Sequence, residues 1–412
     1  MLLYLYMAVD NNEYDVVIIG GGPTGAICAI SLKKLNPKLK VCIVDRQKFP
    51  RDKSCGDGLG PGVNQIVTEL GLSSLFKDSA PIEKLIMTSP NGYELNSELP
   101  KMGDIKPLGF VIPRKKFDNE LFTEARNHDV SVIEEYEIAD FNDAGKYNTA
   151  VTVKKDADEI ILKTKLLVGA DGARSKVRRL LDIPYNTESN TGIAIRYYCE
   201  MEGYDELSLR LDFLKELNPG YGWLFPVSTK FANIGVGIDV SKMKSRNLNL
   251  EEMFESYAAY LSKKLKIKLV DGSKLSYILP YGSQLPKLVS GNKIILGDAA
   301  SMINPFTGEG IFYGMFAGKS LAEHIAQKIG AGGNELDDAL TKFEKDFRKR
   351  FVSHYKINNT TKHLMNSVFS NLAIKASSKD PEILKEGIEL MMGDRRSMSP
   401  LNIFKILVKG LF

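Results

Sequence analysis

The sequence has little cysteine, a single tryptophan and no long apolar run. Its four cysteines stand apart without a CxxC pair, which argues against a disulfide framework, a zinc site and an iron–sulfur cluster. Unpaired cysteines are typical of a reducing compartment, so we expect a cytoplasmic protein without a metal site. No stretch approaches about 18 uninterrupted apolar residues, so we expect no membrane-spanning helix.

Neither sign of charge dominates. The chain carries 55 Lys and Arg against 51 Asp and Glu, a net charge of +4, and no dense basic run appears. This balance argues against a nucleic-acid partner. The apolar start, MLLYLYMAV, lacks a basic flank and is too short to span a membrane, so we expect a tail ahead of the fold. A length of 412 residues predicts two or three packing units.

The first recognisable motif is a glycine-rich turn between a strand and a helix. Residues 14–19, YDVVII, are mostly β-branched and predict a buried strand. A GxGxxG pattern follows at once, ahead of the helix-like run AICAISLKKL. Gly20 would allow the tight turn, Gly22 would let the backbone approach a pyrophosphate, and Gly25 would let helix and strand pack closely. Ala26, which follows, is included among the candidate contacts.

A second strand, KVCIVD, supplies the acid that such a turn requires. It ends in Asp45, whose carboxylate could accept ribose hydroxyls and would repel a 2′-phosphate. The adjacent Arg46 is a further candidate contact, and its positive charge weakens the argument against a 2′-phosphate. NAD and FAD both remain candidate ligands at this point.

Two later motifs favour FAD. Residues 166–175, LLVGADGARS, predict a strand running into Asp171, and residues 293–311, KIILGDAASMINPFTGEGI, predict a strand that ends in Gly297-Asp298. Acids at the carboxyl ends of parallel strands face the ligand, and Asp298 could hold a ribitol hydroxyl. The N–H groups of Gly310 and Ile311 would open a helix toward an anion. Reduced flavin carries negative charge near N1 and O2, which a helix start would stabilise. NAD does not need this stabilisation.

The three motifs in this order resemble the FAD-dependent p-hydroxybenzoate hydroxylase-type superfamily, over roughly residues 13–330. The resemblance implies a doubly wound α/β fold that binds FAD. It also implies that Arg114, in IPRKKFDNELF, touches the flavin, and that the strand end near Ile138 lends backbone to the adenine half. A solvated charge at a helix start is the alternative interpretation of Arg114.

A glycine-rich loop, RDKSCGDGLGPGV, covers residues 51–63. Its glycine density suits backbone that lies against a flat ring. Cys55 sits in its middle, although a lone cysteine is also common as a small core residue. Cys55, Gly56 and Gly58 are therefore candidate flavin contacts.

The octapeptide PGYGWLFP, residues 219–226, contains the only tryptophan. Tyr221, Trp223 and Phe225 alternate at period two, so their rings share one face of a strand. From the octapeptide alone, packing into a core is an equally good interpretation.

The cysteine–glycine loop and the octapeptide together resemble the geranylgeranyl reductase family, whose members carry a CGxG loop by the flavin and a PxYxWxFP strand. Pro219 and Pro226 complete that strand pattern. The chain departs from archaeal members at Glu309, where they often have glycine. That departure puts close transfer of substrate details in doubt.

The resemblance implies a reductase that saturates isoprenoid C=C bonds, such as the geranylgeranyl chains of membrane lipids or a related prenyl compound. Tyr221, Trp223, Phe225 and Pro226 would line an apolar tunnel, and ring faces would stabilise cationic character on an alkene carbon. The hydride would come from reduced flavin, and the proton from Cys55, Tyr221 or a water between them. Cys55, Tyr221 and Trp223 are therefore the candidate catalytic residues.

The organisation follows from where these motifs fall. We expect the FAD-binding domain in residues 13–80, 105–185 and 285–330, and an interleaved antiparallel-sheet substrate domain in residues 81–104 and 186–284. Residues 331–412 should form a helical region. Its end, SPLNIFKILVKGLF, could dock at the inner membrane surface, and packing on its own domain is the alternative.

Other members of the superfamily provide the rival functions. An aromatic monooxygenase would share the FAD motifs, and a flavin-dependent halogenase would show two tryptophans in a WxWxIP strand together with a lysine. No second GxGxxG appears, so the electron donor could be NAD(P)H, ferredoxin or another carrier.

Overall fold

The computed structural model describes residues 12–77, 79–99, 109–145, 148–204, 207–330, 334–364, 367–392 and 400–411. The strands are β1 Glu13–Ile19, β2 Val41–Asp45, β3 Gly58–Leu59, β4 Ala80–Pro81, β5 Lys84–Thr88, β6 Glu94–Glu98, β7 Phe110–Val111, β8 Ser131–Glu134, β9 Glu137–Asp143, β10 Thr149–Lys155, β11 Asp158–Gly169, β12 Thr191–Glu202, β13 Ser208–Asp212, β14 Tyr221–Ser228, β15 Phe231–Asp239, β16 Lys266–Leu269, β17 Leu275–Pro280, β18 Val289–Ser290 and β19 Lys293–Ile295. The helices are α1 Pro23–Leu35, α2 Pro61–Glu69, α3 Arg114–Asn127, α4 Lys176–Leu180, α5 Val240–Ser245, α6 Leu250–Ser262, α7 Ile311–Ile325, α8 Glu335–Leu364, α9 Ser367–Lys379, α10 Pro381–Met392 and α11 Pro400–Leu411.

The first sheet is the nucleotide-binding one. Its strand order is β18-β19-β11-β1-β2-β8, and β1 pairs in parallel with both β11 and β2. The apolar run predicted as a buried strand is β1, in which Val16, Val17 and Ile18 are fully buried. Strands covered on both faces read as continuous apolar runs, which is why this element was predictable.

Helices α1 and α7 are in unusually close contact. A Cβ on Gly314 would lie 2.1 Å from Thr24 Oγ1, and one on Gly318 would lie 2.6 Å from the Thr24 carbonyl oxygen. Only glycine permits this approach, because any side chain would overlap the facing helix. The contact brings the amino ends of both helices to one cavity.

The second sheet has the order β16-β12-β15-β14-β13-β5-β6, and β17 also pairs with β12. It was predicted as antiparallel, which is right except for one pair. β13 runs parallel to β5, because β5 enters from a distant part of the chain rather than through a hairpin. Residues 221–226 of the octapeptide lie in β14, near the middle of this sheet, where Leu224 packs with Val236 and Tyr257 in a core under α6.

One local expectation is corrected. β19 ends at Ile295, and Gly297–Ala300 forms a 3₁₀ turn rather than the strand end. Ile138 lies near the start of β9, buried and paired with Val153, because the preceding strand already ends at Glu134. The strand end near Ile138 is thus the beginning of β9, and the contact of Ile138 with the adenine half stays a prediction.

The last helices pack on the domain that carries them. A Cβ on Gly410 of α11 would lie 2.6 Å from the Leu372 carbonyl oxygen in α9, and Lys405 and Lys409 both pair with Asp380 at 2.9 Å. Helix α9 lies within residues 331–412, which were predicted to be helical. Among the described residues, no helix is both long and apolar enough to cross a membrane. The N-terminal tail, residues 1–11, lies outside the described residues. The doubly wound fold with an interleaved second sheet and a helical C-terminal region is as predicted; the domain boundaries stay a prediction.

Candidate active site

The glycine turn has the geometry that the motif requires. Gly20 has a φ of +108°, and a Cβ there would lie 2.3 Å from the Ala170 carbonyl oxygen. A Cβ on Gly25 would lie only 1.9 Å from the Gly20 carbonyl oxygen. At Gly22 a Cβ would meet nothing nearer than the Arg51 guanidinium at 3.5 Å, so this position faces open space. Gly22 caps α1 without a side-chain hydrogen bond, and the N–H of the buried Ala26 donates to its carbonyl oxygen.

The acid after β2 closes this turn. Asp45 accepts hydrogen bonds from the Gly21 N–H at 2.7 Å and from the Gln47 N–H at 2.9 Å. Arg46 beside it extends into solvent, 3.8 Å from Glu137. Asp45 is thus fixed at the carboxyl end of β2, and its predicted contact with ribose stays a prediction.

The two later acids differ in their surroundings. Asp171 accepts from Ser175 Oγ and from the Lys176 N–H at 2.7 Å, so its carboxylate caps α4. Asp298 lines the central cavity and is 3.0 Å from Lys53 Nζ. Burial lowers the pKa of Lys53, and the nearby Asp298 raises it. The net effect is a raised pKa, so the ammonium stays charged.

Arg114 is buried and lines the cavity, contrary to the solvated alternative. Its guanidinium makes two hydrogen bonds of 2.6 Å to Asp118, which also accepts from Arg51 at 2.6 Å. Its backbone N–H lies 3.3 Å from Asp57 Oδ1. The arginine is therefore held in place beside the cysteine loop.

The aromatic strand faces the cysteine loop. A Cβ on Gly56 would lie 3.0 Å from the Phe225 ring, and one on Gly58 would lie 3.2 Å from it. The ring centroids of Tyr221 and Trp223 are 6.2 Å apart, and those of Trp223 and Phe225 are 6.4 Å apart. The three rings form a continuous wall of the cavity.

The even-numbered positions of β14 face away from this wall. Pro226 is buried and is absent from the cavity lining, because side chains alternate along a strand. Trp223 also lies against its neighbouring strand, where a Cβ on Gly235 would come within 2.3 Å of the indole. The tryptophan is thus both a core residue and a cavity residue.

A buried polar network, which sequence reasoning missed, joins the wall to the cysteine loop. The Trp223 indole donates to Asn233 Oδ1 at 3.0 Å, and Asn233 Nδ2 donates to the Cys55 carbonyl oxygen at 2.7 Å and to Asp57 Oδ2 at 2.8 Å. Tyr198 donates to the same Asp57 oxygen at 2.7 Å. Asp57 has a φ of +65°, so these bonds hold a strained backbone turn in the loop.

The cavity itself has a volume of about 400 Å³. It runs from Gly22 at the start of α1 to Gly310 and Ile311 at the start of α7. An apolar arm continues past the aromatic wall and reaches α10; its lining residues are Leu85, Met87, Leu99, Leu209, Leu211, Phe213 and Ile388.

Burial favours the protonated form of three weak acids in the lining. Burial raises the pKa of the Cys55 thiol, and the nearby Arg114 offsets only part of this effect. Burial raises the pKa of Tyr221 to about 12 and that of Glu309 to about 7. Glu309, singled out in the sequence only as a departure from a family pattern, is therefore the strongest of the three acids.

The residues present suit FAD. Two helix amino ends without side-chain caps, those of α1 and α7, open into one cavity, and each offers unpaired N–H groups to negative charge. Between them lies the glycine loop, where Gly56, Gly58 and Gly60 line the cavity and have no side chains to obstruct a flat ring. Gly22 and Gly310 would hold the pyrophosphate and the flavin ring ends, respectively.

Comparison with known proteins supports this assignment. Residues 13–354 match a family described as FAD binding domain. The chain is 30% identical over 320 residues to a menaquinone reductase of Mycolicibacterium smegmatis, with 76% of each chain covered. It is 27% identical over 413 residues to a digeranylgeranylglycerophospholipid reductase of Methanocella arvoryzae, covering 92% of this chain and 100% of the relative.

Solved structures agree on the fold. A geranylgeranyl bacteriochlorophyll reductase-like protein of Thermoplasma acidophilum superposes with a TM-score of 0.75 at 19% identity, covering 97% of this chain and 96% of that one. A flavin-dependent brominase also superposes with a TM-score of 0.75 at 19% identity, covering 97% and 99%. At such identity these likenesses show the fold alone. The predicted FAD cofactor, the flavin oxidoreductase class and the resemblance to geranylgeranyl reductases are confirmed by the family match and the named relatives.

Proposed function

The chain belongs to the FAD binding domain family, and on that premise we propose that it saturates carbon–carbon double bonds in a prenyl chain carried by a membrane lipid or a related prenyl compound. The observation that carries the proposal is the apolar arm of the cavity, which leads from the cysteine loop along the aromatic wall to α10. A prenyl chain has only alkyl and alkene groups, so an apolar, aromatic lining suits it.

The named relatives support the same substrate class. One is a digeranylgeranylglycerophospholipid reductase and another is a menaquinone reductase. Geranylgeranyl lipids and menaquinones share a polyprenyl chain, although their polar ends differ. We therefore propose for this protein only the prenyl chain that the two relatives' substrates share.

Reduced FAD, when bound, supplies a hydride to the alkene. The chain's own residues would position the alkene and exclude water. Tyr221, Trp223 and Phe225 would hold it against the cysteine loop, and the faces of the rings would stabilise positive charge on a substituted carbon. Cys55 would border the flavin ring, next to the buried Arg114. Turnover also requires a source of two electrons, such as NAD(P)H, two equivalents of reduced ferredoxin or another carrier.

Halogenation and aromatic hydroxylation are the alternatives. Halogenases of this fold would need a free lysine near the flavin. Lys53 lines the cavity, but its ammonium is paired with Asp298 and lies 4.7 Å from the centroid of the Tyr277 ring. The apolar arm, which a small aromatic substrate would leave unfilled, favours the reductase.

A membrane-lipid substrate also bears on location. We place the protein in the cytoplasm, with peripheral contact at the inner membrane surface during substrate capture. The packing of α11 on α9 means that this contact does not depend on a free C-terminal helix.

Mass spectrometry of lipids from cells that express the protein tests the proposal. Prenyl lipids should gain the mass of two hydrogen atoms for each bond reduced. Ile388→Trp narrows the apolar arm, so KM for a geranylgeranyl substrate should rise by about tenfold or more while a short geranyl substrate is little affected. Glu382→Trp, on the exposed side of α10, is the matched control. Unchanged lipid masses, or halogenated or hydroxylated products, would contradict the proposal.

A further inference from the structure

Two carboxyl groups line the cavity within the described part of the chain, and they are in different electrostatic states. Asp298 is balanced by Lys53. Glu309 has no ion pair and no side-chain hydrogen bond to a described residue. A carboxyl group in an apolar site without a partner favours its neutral form.

Glu309 is placed where the aromatic wall meets the cysteine loop. Its Oε1 would lie 3.2 Å from a Cβ on Gly60, which follows the loop's CGDG segment. On the other side, Tyr221 donates from its hydroxyl to the Thr307 carbonyl oxygen at 3.3 Å, two residues before the glutamate. The carboxyl group thus borders the space in which the proposed alkene would react.

The loop that carries Glu309 is rigidly held. The N–H of Asn304 donates to the Glu309 carbonyl oxygen at 2.9 Å, and Asn304 Oδ1 accepts from the Phe306 N–H at 2.8 Å. Asn304 Nδ2 donates to the Tyr313 hydroxyl, which is 2.7 Å from His354. Residues from α7 and α8 therefore fix the loop from behind.

We propose that Glu309 is the acid that protonates the alkene carbon. The inference rests on the proposed function. The carboxyl proton would form a C–H bond at one carbon as the π bond breaks, and the more substituted neighbour would take the hydride that reduced FAD supplies when bound. Glu309 would be left as a carboxylate and would regain a proton from water. The electron source named above would return two electrons to the flavin.

Glu309 suits this role better than the donors considered from the sequence. The pKa of Glu309 is raised to about 7 by burial, whereas burial raises the pKa of Tyr221 to about 12 and also raises that of Cys55. An acid is most effective when its pKa lies near the working pH. An alkene is a weak base, so the stronger acid is needed. The ring faces of Trp223 and Phe225 would then stabilise the cation formed.

The pH dependence has a definite sign. Glu309 donates only while protonated, so the rate should fall above about pH 7, tenfold per pH unit. Among the described residues, the other titratable or charged groups in the cavity walls are Lys53, Cys55, Arg114, Tyr221, Tyr277 and Asp298. Asp57 lies within the cysteine loop, and Tyr355 of α8 lies behind the cavity. Burial raises the pKa of Tyr221, of Tyr355 and of the thiol, and it raises the pKa of Asp57 to about 6, while Lys53 and Arg114 stay cationic.

Single-turnover kinetics test the assignment. The FAD-loaded protein is reduced under anaerobic conditions and mixed with a geranylgeranyl lipid, and flavin reoxidation is followed between about pH 5 and 9. Glu309→Gln should slow reoxidation by about 100-fold and remove the alkaline fall, with FAD content and lipid Kd unchanged. Glu309→Asp should restore part of the rate. Glu323→Gln, an exposed change on α7, is the control.

Cys55→Ala and Tyr221→Phe separate the rival donors, because each should keep the fall above pH 7 whatever its rate. Infrared difference spectra supply a readout independent of turnover. The wild-type protein should show the carbonyl band of a neutral carboxylic acid that titrates near pH 7, and Glu309→Gln should lack it. Wild-type rate and pH profile in Glu309→Gln, with prenyl saturation intact, would overturn the assignment and leave the proposed function standing. Absence of saturation in the wild-type protein would overturn both.

Discussion

The Trp223 indole donates a hydrogen bond of 3.0 Å to Asn233, and Asn233 in turn donates to the Cys55 carbonyl oxygen at 2.7 Å. One buried amide therefore sets the position of the aromatic wall relative to the cysteine loop. Asn233 is fully buried, so no water can replace its side chain at low cost.

Removing this amide should destabilise the protein and loosen the loop. Asn233→Ala leaves the indole N–H and the Cys55 carbonyl oxygen unpaired, so we expect a loss of about 3 kcal/mol in the free energy of unfolding. Urea denaturation of the FAD-loaded protein measures it. Asn96→Ala, an exposed change in the same sheet, should stay within about 0.5 kcal/mol. Equal effects of the two changes would mean that the network does not hold the loop.

The only tryptophan reports directly on the predicted cofactor position. Because Trp223 lines the cavity beside the glycine loop, bound FAD should quench its fluorescence strongly, and removal of FAD should restore it. Trp223→Phe supplies the tyrosine background. Full tryptophan emission from FAD-loaded protein would place the flavin elsewhere in the cavity.

The glycine turn allows folding and cofactor binding to be separated. Gly22 has φ −68° and ψ −179°, an extended conformation that valine adopts without strain, and a Cβ there meets no protein atom closer than 3.5 Å. Gly22→Val should therefore fold normally and lose FAD, because its side chain fills the space proposed for the pyrophosphate. Absorbance of bound flavin measures the loss.

Gly25→Ala should instead destabilise the fold itself. Its Cβ would lie 1.9 Å from the Gly20 carbonyl oxygen, so the backbone must shift and the free energy of unfolding should fall by about 3 kcal/mol or more. Thermal unfolding of both flavin-free variants makes the comparison. A Gly22→Val variant that still holds FAD would contradict the assignment of the turn.

The sequence was most informative where function depends on local spacing. The glycines at 20, 22 and 25 and the shared face of Tyr221, Trp223 and Phe225 follow from motif spacing and from the period of a strand. The contacts that join them do not. Asn233 and Cys55 are separated by 178 positions, and the parallel pairing of β13 with β5 joins residues such as Ser208 and Lys84, which are 124 positions apart. No local pattern specifies such partners. The protonation state of Glu309 likewise depends on tertiary packing, which surrounds the carboxyl group with apolar walls.

The raised pKa of Glu309 predicts how the free energy of unfolding changes with pH. The pKa of Glu309 is about 7 in the folded protein against an ordinary value of 4.5, so the folded state binds this proton more tightly than the unfolded state. Below pH 4.5 the group is neutral in both states and has no effect. Between pH 4.5 and 7 the unfolded state loses the proton first, so the folded protein loses stability as the pH rises, and above pH 7 the deficit is constant.

Glu309→Gln removes this titration. Near pH 4.5 the free energies of unfolding of the variant and the wild-type protein should differ only by a constant offset. Between pH 4.5 and about 7 the variant should become progressively more stable than the wild-type protein. The gain should reach on the order of 2–3 kcal/mol, less where cavity water screens the charge. Urea denaturation of the flavin-free proteins at several pH values measures the difference. Glu323→Gln changes an exposed, ion-paired position of α7, the helix that follows the Glu309 loop, and should show no such gain. A pH-independent difference between Glu309→Gln and the wild-type protein would mean that the pKa of Glu309 is the same in the folded and unfolded states. The group would then be ionised near neutral pH and could not act as the acid there.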